Sequence, residues 1–226
     1  MKHLSALWAV LLLAPAAAGQ PIRTFEADLF TSSADPAVGV RIAPEFSYLG
    51  PDRFSLGDRA DVERHVWAKA PKGTVEALVI FQFEGLRPGQ DGRYQFAVPG
   101  GDNVSGGTWR YTPERVRLGG HDYVHNTWVF DLRESAREAP EAESAHLLAM
   151  LAEGELEAPS AWIMSRYVTE VGEDRRKELI LFYLEPLESS GHSLERFSAD
   201  GPMSEEFGRL SDQVVARGEA AFSVIE

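Results

Sequence analysis

The segment His121-Asp122-Tyr123-Val124-His125 sets two imidazoles and a carboxylate within five residues. On a helix, histidines four apart would chelate zinc readily. Here Gly119-Gly120 precede the segment and Thr127-Trp128-Val129-Phe130 follow it, which favours a strand. Four residues along a strand span ~13 Å at ~3.3 Å per residue, so each histidine would need a ligand from another strand. His65 and Glu84 are the available partners, making His65, His121 and His125 the candidate metal ligands, with Asp122 beside them.

A second constellation is apolar with a polar end. In Val75 to Glu84 the odd-numbered positions Val75, Ala77, Val79, Phe81 and Phe83 share one strand face. Leu78 and Ile80 share the other with Glu76, Gln82 and Glu84. Gln82 and Glu84 then stand where a sheet would open onto a cavity. With His125 and Trp67 they are the candidate ligand-binding residues. Arg64 and Arg166 are cations able to neutralise the acid. Trp67, Trp109, Trp128 and Trp162 could stack a sugar beside paired carboxyls, but aromatic residues in strands ordinarily serve packing.

Nucleophile and phosphate motifs are incomplete. Gly101 to Thr108 resembles a phosphate-binding loop with glycine at position 107, where the lysine that neutralises terminal phosphates should stand. Asn103 occupies the glycine position a nucleophile elbow needs before Ser105. Gly191-His192-Ser193 puts an imidazole beside a hydroxyl in sequence, which does not aim one at the other, and a triad needs a third group. The absence of cysteine excludes thiol chemistry.

The elements that must position these groups are mostly strands. Phe46 to Leu49 and Phe54 to Leu56 flank Gly50-Pro51-Asp52 as a hairpin would. His65 to Ala70 and Val75 to Phe83 flank Pro71-Lys72-Gly73 in the same way. A three-residue loop there would set Trp67 opposite Ala77 and His65 opposite Val79. Further strands are expected at Tyr94 to Val98, Thr108 to Tyr111, Val116 to Leu118 and His121 to Phe130. A helix begins near Pro140 and stops at Gly154. Trp162 to Val168 and Leu179 to Leu184 form a hairpin through Gly172-Glu173-Asp174, the second strand apolar on both faces and therefore central. A long amphipathic helix starts near Pro202 or Ser204. This order predicts an α+β fold: a largely antiparallel β-sheet, one mid-chain helix, and a long C-terminal amphipathic helix packed on the sheet.

Residues 1–19 have the layout of a secretory signal peptide: Lys2 and His3, an apolar run to Ala14, then small residues to Gly19. That run is shorter than the ~20 residues of a membrane-spanning helix, and no second such stretch follows. The expectation is an exported protein, periplasmic or secreted, with residues 20–226 as a single α+β domain. Thirty-five acidic against 22 basic residues give a net charge of −13, which repels nucleic acid. Between Glu134 and Glu157 seven glutamates face only Arg137, a solvated helix face or a docking surface for a basic partner. No cofactor is indicated. The favoured reading is a non-enzymatic ligand-binding or accessory module, with a largely apolar cavity of at least ~300 Å³ for a small apolar or amphipathic ligand. The alternatives are a metal-assisted hydrolase or metal-binding protein built on His121 and His125, and an envelope interaction protein with a protein partner.

Overall fold

A computed structural model describes residues 22–96, 103–105, 109–111, 114–197 and 205–225. Residues 1–19, expected to be a signal peptide, and most of the Gly101 to Thr108 loop lie outside these residues. The chain is mixed α+β, with antiparallel sheets and, among the described residues, three α-helices. The largest sheet has seven strands in the order β4-β5-β6-β12-β11-β10-β9: β4 (Ser47–Leu56), β5 (Ala60–Lys69), β6 (Ala77–Leu86), β12 (Lys177–Pro186), β11 (Ala161–Val171), β10 (His121–Asp131) and β9 (Glu114–Leu118). A four-stranded sheet joins β1 (Arg23–Glu26), β2 (Leu29–Ser33) and β3 (Ala37–Ile42) to β13 (Phe222–Ile225). Asn103–Ser105 (β7) and Trp109–Tyr111 (β8) form a separate two-stranded ribbon.

Alternation along the central strands builds two cores. Val79, Phe81 and Phe83 of β6, Leu179, Leu181 and Tyr183 of β12, and Trp67 of β5 meet Phe30, Val40 and Phe222 of the small sheet. Helix α3 (Glu205–Ala221) closes the same side with Phe207, Leu210 and Val214. Gly218 seats this helix, because a Cβ there would lie 3.2 Å from Cβ of Tyr183. On the opposite face, Val66, Leu78, Ile80, Met164, Ile180 and Phe182 pack under Leu132, at the start of α1 (Leu132–Glu138), and Leu147 and Leu151 of α2 (Glu143–Glu153). Apolar burial at ~25 cal/mol per Å² on both faces drives the layering, in a chain with no cysteine.

Several expectations are corrected. Gly50-Pro51-Asp52 is not a turn: β4 runs unbroken through it, with the register shifting between Tyr48 and Gly50. A bulge and a proline are tolerated because β4 is an edge strand with one side free of ladder bonds. The β5–β6 register is longer by two residues than a three-residue loop would set, pairing Trp67 with Val79 and His65 with Phe81. A shift of two preserves which face each side chain occupies. Tyr94 to Phe96 is not strand. Helix α1 and strands β1, β2, β3, β7 and β13 were not among the expected elements, and the C-terminal helix stops at Ala221, before Phe222 of β13.

The β9–β10 hairpin turns through two left-handed glycines of different surroundings. At Gly119 (φ +49°) a Cβ would lie 2.3 Å from Cγ1 of Val224 on β13, whereas at Gly120 (φ +79°) it would meet nothing within 4 Å. Gly120→Ala should therefore show only the left-handed penalty of ~1–2 kcal/mol. Gly119→Ala should cost a further ~1–3 kcal/mol from the overlap. Urea denaturation of the two variants checks this, and equal losses would mean that the hairpin does not seat on β13.

Candidate functional site

The face of the large sheet that carries α2 holds a cavity of about 270 Å³. Its walls are apolar, with Ile80, Phe130, Leu147, Met164, Ile180 and Phe182 among them. One end is polar, lined by Arg64, Gln82, Glu84, Glu143, Arg166 and Glu178. Of these, Arg64, Gln82, Glu84 and Glu178 are 8% exposed or less. Ionisable groups so deeply buried normally need full pairing.

Strand register explains why they gather. Even-numbered residues of β6 and β12 face α2, so Gln82 and Glu84 point the same way as Ile80, and Glu178 the same way as Ile180. Glu178 pairs with Glu84 on β6 and with Glu170 on β11, placing three glutamates in one row across adjacent strands. Like charges directly opposite each other destabilise a sheet unless a proton or cation relieves them.

The neighbours show which carboxyl holds the proton. Glu84 accepts from Gln82 Nε2 at 2.6 Å and from the Tyr94 hydroxyl at 3.3 Å. Gln82 Nε2 also donates to Glu143 Oε1 at 2.5 Å, bridging sheet and helix. Arg64 donates to Asp52 Oδ2 at 2.6 Å and to the Glu143 carbonyl at 2.9 Å. Glu178 receives no such help: its Oε2 is buried without a hydrogen-bond donor. Burial, and then the charge of Glu84, push the Glu178 carboxyl up to about 9. Burial also raises Glu84, against which the hydrogen bond from Glu178 acts. At neutral pH Glu178 is therefore the neutral acid and donates its proton to Glu84, the carboxyl already surrounded by donors.

The sequence candidates divide between the two sheet faces. Gln82 and Glu84 line the cavity, while His125 and Trp67 belong to the face covered by the small sheet and α3. His65 and His125 share that face in one register row through Phe81, Leu181 and Tyr167. Four strand spacings separate them, ~19 Å at ~4.8 Å each, and His121 is exposed at the start of β10. Among the described residues no three His, Asp or Glu side chains gather so as to hold a metal ion. His65 is instead held by Tyr48 at 2.7 Å and Glu63 at 3.0 Å. Glu63, also beside Arg23 and Arg53, is lowered to about 2, chiefly by its hydrogen bond from His65.

Among the described residues, serine, histidine and glutamate line up in two arrays. Ser165 Oγ lies 2.8 Å from His125 Nε2, and Glu114 lies 2.9 Å from His125 Nδ1. Burial lowers His125, against which its hydrogen bond to Glu114 acts. Ser165 is 0% exposed, however, and the neighbouring cavity is lined by Tyr167 without Ser165 or His125. In the second array His192 contacts Ser190 at 3.0 Å and Glu206 at 3.1 Å. The single Ser190 proton is given to the Leu187 carbonyl at 2.6 Å, so it is not poised on the imidazole. Neither array presents an activated, reachable nucleophile. Ser193, the hydroxyl adjacent to His192 in sequence, is not the one that His192 meets.

Glu178, Glu143 and Ser144 line the cavity although none is among the candidates the sequence offers, and Arg64 and Arg166, expected only to neutralise acid, line it too. The signal available for Glu178 was its parity with Ile180 and Phe182, one step before the apolar run. No protein-family model matches the chain, and neither a curated protein nor a solved structure is similar to it.

A raised carboxyl means that the folded chain binds more protons than the unfolded one between pH 4.5, the ordinary value, and about 9. Stability should fall as pH rises through that window. Glu178→Gln removes the titrating group and offers Glu84 an amide donor. Its thermal profile should be flatter, with Tm at pH 8 at least ~3 °C above that of the parent protein. Calorimetric scans from pH 5 to 9 check this, and parallel profiles would show that Glu178 does not carry the proton.

Proposed function

We propose that this chain is a non-enzymatic binding module that holds a small amphipathic molecule between the seven-stranded sheet and α2. The observation that carries the reading is the buried Glu178 carboxyl, without a protein donor at its Oε2, at the polar end of a cavity whose remaining walls are apolar. A buried acceptor left unsatisfied costs ~1–3 kcal/mol, which a ligand donor would recover. The volume of about 270 Å³ falls just below the ~300 Å³ lower end of typical small-molecule sites and suits a compact ligand. Its apolar body would lie against Ile80, Leu147 and Phe182, and its polar end would donate to Glu178. The first nineteen residues support export of such a module to the periplasm or beyond the cell.

Linear alcohols from butanol to decanol test the binding reading, since each has an apolar tail and one donor. Calorimetric titration of the full chain should show saturable binding that strengthens by up to ~0.8 kcal/mol per added methylene until the cavity is filled. Ser144→Trp, which places an indole at the cavity wall, should abolish binding while leaving Tm within ~2 °C. Failure of every alcohol to saturate, together with failure of the amine and carboxylate of the same tail length, would overturn the proposal.

A further inference from the structure

The charges around the cavity define the ligand's polar end more narrowly, in an inference that rests on the binding reading above. Three glutamate side chains, Glu84, Glu143 and Glu178, meet at the polar end. Arg64 gives its two terminal nitrogens to Asp52 and the Glu143 carbonyl, while its Nε is buried without a partner. Arg166 lines the same end, its guanidinium carbon 5.7 Å from the Phe96 centroid, and draws Glu178 toward its ionised form. With Arg64 paired to Asp52, Arg166 alone among the described residues faces three carboxyls, and a proton held between Glu84 and Glu178 makes up part of the difference. An anionic head would be repelled by Glu84 and Glu143. The described residues offer no arrangement of three ligands for a metal ion, which leaves an organic cation.

We infer that the cavity takes a primary ammonium group on a short apolar tail, and that this group displaces the proton shared by Glu84 and Glu178. The exchange balances: the ammonium enters with its charge, Glu178 loses one proton to solvent, and the carboxylate so formed accepts an N–H from the ligand. The groups that set the equilibrium are Glu84 on β6, Arg166 and Glu170 on β11, Glu143 on α2, and Tyr94 through its bond to Glu84. Arg166 favours the ionised form of Glu178, while Glu84 and Glu143 oppose it.

Hexylamine, hexanol and hexanoate share one tail and differ in the head, so titrating the full chain with each separates the possibilities. Hexylamine should bind at least ~10-fold more tightly than hexanol at pH 8, and hexanoate should not bind. Hexylamine affinity should rise toward ~10-fold per pH unit between pH 6 and 8. Calorimetry in buffers of different ionisation enthalpy should register about one proton released per amine. Glu178→Gln should remove both the pH dependence and the proton release. Hexanol binding as tightly as hexylamine, or hexylamine binding without proton release, would overturn the ammonium assignment and leave the binding module standing. Failure of all three would remove both. The buffer comparison uses the unaltered protein, so it decides the question even where the variant folds poorly.

Discussion

Pairing of β6 with β12 sets two strands without an exposed face at the centre of the seven-stranded sheet, and the other layers pack on one side or the other of that pair. Phe81 opposite Leu181 organises the core under the small sheet and α3; Ile80 opposite Phe182 organises the core under α2. The same register leaves no freedom at its end. Once the apolar residues interlock, Glu84 and Glu178 must lie side by side, because a slip of one residue would turn both apolar sets to the wrong core. The acid pair is therefore held in place by the packing of the whole molecule, and separating it would mean dismantling both cores.

That constraint explains the polar shell around the cavity. Gln82 reaches from the sheet to Glu143 on α2, and Arg64 reaches from the sheet to Asp52 and the same helix. These bonds fix the first turn of α2 over the cavity while its later residues, Leu147 and Leu151, dock on apolar neighbours. Polar contacts thus set the helix's position and apolar burial holds it there. Breaking one member of such a network leaves its partners unpaired in a low-dielectric site, which costs more than the bond itself contributes.

Much of the large sheet was legible because its signal is local. The parity of Val79, Phe81 and Phe83 against Leu78 and Ile80 assigns both faces of β6, and a run apolar on both faces marks β12 as central. Gln82 and Glu84 stand out as polar residues within such a strand. The same parity already sets Trp67 on the opposite face from Gln82, so their grouping as one site was avoidable. The small sheet was not legible: β3 pairs with β13 from the other end of the chain, and no local periodicity encodes a partner so distant. Glu178 was missed for a related reason. A glutamate just before Leu179 reads as the edge of a turn until the partner strand shows that β12 begins at Lys177 and is covered there.

The residues most suggestive of chemistry in the sequence, the histidines, illustrate how satisfaction separates structure from function. His65, His125 and His192 each have both ring nitrogens engaged by protein groups: Tyr48 and Glu63, Glu114 and Ser165, Ser190 and Glu206. An imidazole held at both nitrogens has none left for a metal or a substrate, and its bonds serve to tie strands and loops together. Glu178 is the opposite case, with a buried oxygen that meets no donor. Residue type alone favours the histidines as functional groups. Hydrogen-bond accounting shifts attention to Glu178, because a group with unmet bonding capacity in the wall of a cavity is one that a ligand can complete.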